Sequence, residues 1–128
     1  MEGSQQMSDT LYGDCPAQAD LCLPQGQTLS QAFRYKSDDV IVNLSGYTGR
    51  AMFRATPDSA TVALSLTTAN GGVIISAAGG LVTLSASAAS MSAITAGRYV
   101  YDLEIESSTG AVKRLVEGVA KVSREVTR

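Results

Sequence analysis

The chain has 128 residues, 45% of them apolar, and a formal net charge of −2. That length supports one domain rather than two, and the charge supplies no basic field to gather nucleic acid. With 5% aromatics and no Trp the core has to come from Val, Leu, Ile and Ala, and with 17% charged residues the surface relies on Ser, Thr, Gly and Gln, which suits burial against other protein.

Residues 1–27 hold four acids (Glu2, Asp9, Asp14, Asp20) and neither Lys nor Arg, whereas the remainder holds eight acids and ten bases. Gln, Ser, Gly and two prolines without a sustained period predict an extended N-terminal arm over 1–27 and a folded domain over 28–128. Fully extended, such an arm reaches roughly 90 Å. Its scattered apolar residues Leu11, Tyr12, Leu21 and Leu23 are candidate anchors for docking on a neighbouring subunit, and its acidity fits a complementary protein surface. Cys15 and Cys22 are the only cysteines. With six residues between them and without any His, they do not complete a zinc site in one chain. They either close a small disulfide loop or remain reduced, as cytosolic synthesis favours. The N-terminus lacks the charged and apolar regions of a signal peptide, and no apolar run is long enough to cross a membrane.

Beyond the arm, strands are expected one after another. Thr28 to Lys36 places Leu29, Phe33 and Tyr35 on one face. Asp38-Asp39 turns the chain into the short run Val40-Ile41-Val42. Asn43-Leu44-Ser45-Gly46-Tyr47 permits a tight reversal, and Thr48 to Ala55 carries Arg50, Met52 and Arg54 opposite Ala51 and Phe53. Thr61 to Thr67 alternates with Val62, Leu64 and Leu66 inward, before the turn Asn70-Gly71-Gly72. Val73-Ile74-Ile75 and Leu81-Val82-Thr83-Leu84 flank Ala77-Ala78-Gly79-Gly80 as a hairpin. Ser87 to Ile94 has the length of one or two helical turns. Gly97 to Glu106 alternates apolar and polar residues, Ser107-Ser108-Thr109-Gly110 turns, and Ala111 to Ser123 is a closing strand. About seven or eight short strands at intervals near ten residues predict an all-β, immunoglobulin-like β-sandwich with one short helical turn, in the sense of its layering.

Residues able to make or break bonds are scarce. The chain contains no His, so Ser-His-Asp and Cys-His arrangements are excluded within one chain. Asp102, Glu104 and Glu106 share a strand face and read as a solvated stripe that pairs across the turn with Lys113 and Arg114. The Gly-Gly pairs lack the Gly-Lys-Ser/Thr of a phosphate loop. Asp38, Asp39 and Asp58 fall short of the oxygens a Ca²⁺ ion needs. Tyr99 and Tyr101 read as core packing with hydroxyls at the rim. No catalytic residue, metal site or cofactor is expected, and the chain is expected not to be an enzyme.

The ordered series Gln25-Gly26-Gln27-Thr28-Leu29, Asn43-Leu44-Ser45-Gly46-Tyr47-Thr48-Gly49-Arg50-Ala51-Met52-Phe53-Arg54, Leu66-Thr67-Thr68-Ala69-Asn70-Gly71-Gly72-Val73, Gly97-Arg98-Tyr99-Val100-Tyr101-Asp102-Leu103-Glu104, Leu115-Val116-Glu117-Gly118 and Val122 to Arg128 resembles small tailed-phage and prophage virion proteins. It is similar to the N-terminal β-domain of phage baseplate upper proteins, over about residues 25–128. The resemblance implies a structural component of a virion, made in the host cytoplasm: an adaptor or attachment protein of the tail, collar or baseplate, or alternatively a capsid-decorating cement protein of the head. Its partners would be other virion proteins and further copies of itself, with neither nucleic acid nor membrane. The arm lies outside the resembling region. Thr28–Lys36 and Val119–Arg124 are the candidate edge strands for pairing with other chains.

Overall fold

The computed structural model describes residues 16–37 and 39–127. Within them the chain forms eleven strands and one short helix: β1 Ala17–Gln18, β2 Leu21–Pro24, β3 Leu29–Arg34, β4 Lys36–Ser37, β5 Val40–Ile41, β6 Thr48–Arg54, β7 Leu64–Thr67, β8 Val73–Ser76, β9 Leu81–Ala86, α1 Ala88–Ser92, β10 Gly97–Glu106 and β11 Val112–Ser123. The larger sheet runs β1-β11-β10-β6-β7, with β2 also on β11; β3-β9-β8 form a second sheet, and β4-β5 a small ribbon. The two main sheets pack as an immunoglobulin-like β-sandwich. The strands beyond the expected seven or eight are mostly two-residue pieces, too short to show a period.

Alternation sets the layers. Ala51 and Phe53 of β6, Tyr101, Leu103 and Ile105 of β10, and Val116, Ala120 and Val122 of β11 turn inward, against Leu29 and Phe33 of β3 and Val82 and Leu84 of β9. Each such Leu, Ile, Val or Phe contributes about 1.5–3 kcal/mol on burial. Phe53 and Tyr101 stack at 5.0 Å between centroids. Two plugs close the ends of the core. Leu44, from the Asn43–Tyr47 turn, is buried, as is Met91 of α1. The first turn is held by the Asn43 Oδ1, which accepts from Ser45 N at 2.9 Å, and by Gly46 at φ 81°. The helix is capped by Ser87, whose Oγ accepts from Ser90 N at 3.1 Å.

The hairpin β8–β9 forms as its four-residue loop predicts, Ser76 opposite Leu81. The turn Asn70-Gly71-Gly72 does a different job from the hairpin its residues suggest. It carries the chain from β7 in one sheet to β8 in the other. Asn70 holds this corner: its Oδ1 accepts from Thr67 N and Gly72 N at 2.9 and 2.8 Å, and its Nδ2 donates to Ser65 O at 3.0 Å.

The boundary at residue 27 moves. Ala17 and Gln18 pair in parallel with Val116 and Glu117, and Leu21 to Pro24 pair in parallel with Ala120 to Ser123. Residues 17–24 are therefore a strap on the edge of the larger sheet and part of the domain, not of a separate arm. Polar composition hid this, because an edge strand buries only alternate side chains. Residues 1–15 of the expected arm lie outside the described residues.

Candidate interaction surface

The strap and the outer face of the larger sheet hold most of the polar chemistry. The strap is kinked at Ala19-Asp20, and three bonds hold the kink. Ala19 N donates to Glu117 O at 3.0 Å, the Tyr101 hydroxyl donates to Ala19 O, and the Asp20 carboxylate accepts from Val119 N at 3.0 Å. Gly118 makes room for it: a Cβ at this position would run into the Ala19 carbonyl. At the exit, the Gln25 amide donates to Ile94 O at 2.7 Å and accepts from Glu125 N at 2.9 Å.

The expected anchors divide. Leu21 and Leu23 are 8% and 4% exposed and belong to this domain's own core. They are therefore not available to grip a neighbouring subunit in this arrangement, because their place on the inward side of β2 points them between the sheets. Leu11 and Tyr12 lie outside the described residues, as does Cys15. Cys22 is exposed on the outer side of β2, opposite Lys121 of β11, and a bridge from it to Cys15 falls outside the described residues.

On the outer face, registered rows of side chains cross the sheet. Thr67, Arg50, Glu104 and Arg114 make one row, and Ser65, Met52, Asp102, Glu117 and Gln18 the next. A β-bulge between Leu103 and Glu104 on the β10–β11 ladder lets Leu115 and Val116 both face inward and brings Arg114 opposite Glu104. Arg50 binds Glu104 at 2.9 Å and Glu106 at 3.1 Å. Arg114 meets Asp102 at 3.5 Å and Glu117 at 3.3 Å, and Gln18 donates to Glu117 at 2.8 Å. Arg54 donates to Ser59 O at 2.7 Å. Between these groups lies a shallow concavity of about 610 Å³ with Met52, Val100 and Val119 among its lining.

The charged stripe of Asp102, Glu104 and Glu106 is thus real, but its chief partner is Arg50 on the neighbouring strand β6, which a hairpin-only reading overlooks. Arg114 pairs as expected. Lys113 lies over the Tyr35 ring at 6.0 Å. The Arg50 guanidinium is held above its ordinary range by its hydrogen bonds to Glu106 and Glu104. Burial pushes the Asp102 carboxyl up, against the opposing pull of Arg114. Burial pushes the Tyr101 phenol well above its usual range, assisted by the Asp20 charge. Tyr99 donates to Thr95 O at 2.6 Å. Both tyrosines therefore serve packing and local bonds. No group of three metal-ligating side chains occurs among the described residues, and no described helix is long and apolar enough to cross a membrane. The four carboxylates of this face, Asp102, Glu104, Glu106 and Glu117, are all ion-paired and share two guanidinium groups between them.

Neither a family model nor a curated protein matches this chain. Among solved structures it is similar to CopC from Methylosinus trichosporium OB3b, with 13% identity, 88% of each chain covered and a TM-score of 0.47. It is also similar to extracellular domains 3–5 of Drosophila OTK, with 11% identity, 80% of this chain and 32% of that one covered, and a TM-score of 0.37. At these identities and scores neither likeness says what this chain binds.

Proposed function

We propose that this chain is a non-enzymatic structural module of a tailed-phage particle, an adaptor or attachment protein of the tail, collar or baseplate. One observation carries the non-enzymatic part of the reading. The polar groups that a catalyst would leave poised are here engaged with one another, Arg50 with Glu104 and Glu106 and Arg114 with Asp102 and Glu117. The ordered motif series supports the particle. Its Leu44-Ser45-Gly46 segment supplies the plug and tight turn that close one end of the core, and its Arg50 anchors the outer face. Such a domain acts by shape and by sheet edges.

The test is incorporation. Particles assembled in a host expressing this protein with an epitope tag at its C-terminus are purified on a density gradient and imaged with a gold-labelled antibody. Label on the tail or baseplate, at a few to a few dozen copies, is the expected result. Hundreds of copies over the head would replace this reading with capsid decoration. Absence from purified particles would end both.

A further inference from the structure

Four sheet edges bound this sandwich, and three of them are closed by identifiable devices. The β7 edge is covered by Asn70, whose side chain takes both Thr67 N and Ser65 O, the groups that face away from β6. The β8 edge is four residues long; Val73 is 1% exposed, and the carbonyl of Ala77 just beyond it accepts from Leu44 N at 3.0 Å. The strap edge is broken at Ala19-Asp20 and flanked by Pro16 and Pro24. Breaks, prolines and covering groups are how native sheets prevent edge pairing. The other expected edge, Val119–Arg124, is no edge over its strand residues: β11 has β10 on one side and the strap on the other.

The fourth edge is β3, a six-residue strand without proline or bulge. Tyr35 N bonds Gly80 O, so by antiparallel alternation Phe33, Gln31 and Leu29 bond to β9, and Ser30, Ala32 and Arg34 direct their backbone groups outward. All three outward residues are exposed. Among the described residues, the outward groups of this strand have one hydrogen-bond partner, the Gln31 amide on Ala32 O at 3.2 Å.

We propose that a second copy of this chain pairs antiparallel along β3, with Ala32 opposite its counterpart and Ser30 opposite Arg34. This inference rests on the assembly reading above and names its first contact. The register is self-complementary. Every outward residue of one copy meets an outward residue of the other, so each pair exchanges both backbone bonds, as a two-fold contact requires. The charges permit it: each Arg34 faces a serine, and its guanidinium is turned away from the edge, donating to Gly79 O at 3.3 Å. The outer face that becomes continuous across the two copies carries Ser30, Ala32, Thr83, Ser85, Leu81, Ile74 and Ser76, with Arg34 its one charge among these registered positions. That contrasts with the ion-paired outer face of the other sheet. Pairing exchanges the exposed Gln31–Ala32 bond for a backbone bond between copies.

The test is sedimentation of the full chain over a concentration series, beside Ala32→Pro. Proline removes an outward N–H that bonds to nothing among the described residues, so the fold is retained, and an unchanged circular dichroism spectrum and melting temperature check this. A dimer whose dissociation constant rises at least tenfold in Ala32→Pro is expected. With Cys15 and Cys22 replaced by Ser, Ala32→Cys is expected to cross-link through a short bis-maleimide and Ser30→Cys is not. A wild type that stays monomeric at millimolar concentration overturns the proposal, as does equal dimerisation of folded Ala32→Pro. So does rising amide protection at Ser30 and Ala32 only when other particle proteins are added, since that would give the edge to a different chain. A monomer that still enters particles sinks the self-pairing and leaves the particle role standing; a dimer absent from particles does the reverse.

Discussion

Gly118→Ala tests the seating of the strap. Gly118 lies on β11 opposite Tyr101, and a Cβ there would meet the Ala19 carbonyl, with Ala19 C at 2.8 Å and Asp20 Oδ1 at 3.0 Å. The obstructing atoms are chiefly backbone and cannot swing aside as a side chain would. Two responses compete. Leaving the strap seated costs the overpacking strain of one added methyl, about 1–3 kcal/mol. Releasing it exposes Leu21 and Leu23, at about 1.5–3 kcal/mol each. Release also forfeits the Ala19 and Tyr101 bonds at about 1 kcal/mol each, and the Val119 N–H bond to the Asp20 carboxylate at about 1.5–3 kcal/mol. Release is the costlier path by several kcal/mol, so the strap shifts and stays. The expected loss is about 1–3 kcal/mol, read as a lower urea midpoint at unchanged slope. Amide exchange over residues 17–23 accelerates while the β9 amides keep their protection. Gly79→Ala is the control, because a Cβ there meets nothing closer than 3.7 Å, and it should stay within about 0.5 kcal/mol of wild type. A Gly118→Ala protein with wild-type midpoint and wild-type exchange at residues 17–23 would refute the strap as described.

Asn70→Ala removes one acceptor serving Thr67 N and Gly72 N and a donor to Ser65 O; a loss of about 1–2 kcal/mol in urea unfolding is expected, with new concentration-dependent association as the β7 edge opens. Burial raises the Asp102 carboxyl, so the folded state holds that proton more tightly than the unfolded chain does. Stability from this group is therefore fully present below the ordinary carboxylate range near pH 4 and declines as pH rises through its raised value; Asp102→Asn should remove that component, leaving a shallower fall of the urea midpoint between pH 4 and 7 than in wild type. Tyr101 is raised above the usual phenol range, so its stability term is present below about pH 10 and is lost above it. Ultraviolet titration should show one tyrosine ionising only with alkaline unfolding, and Tyr101→Phe should abolish that late step.

Much of the fold was legible along the chain because its strands obey a two-residue period. β10 alternates from Tyr101 to Glu106, β6 sets Arg50, Met52 and Arg54 against Ala51 and Phe53, and both are found so arranged. Ser87 and Met91 mark the helical turn at Ala88–Ser92. The strap escaped because its apolar residues are few and spaced around a kink. Its signal was Leu21-Cys22-Leu23, one alternation too short to outweigh the prolines. Gly118, read as one more strand residue, is required by the backbone of residues 19 and 20, nearly a hundred positions earlier.

Local residue chemistry by itself determined the turns, the alternating faces and the shortage of acid–base groups, since each depends on neighbours a few positions away. Which edges are open, which carboxylate meets which guanidinium, and whether Leu21 and Leu23 serve this domain or another were decided only when distant strands met. Those outcomes depend on sheet order and on the bulge at Leu115, and the free energy of an edge strand resides mostly in the partner it finds.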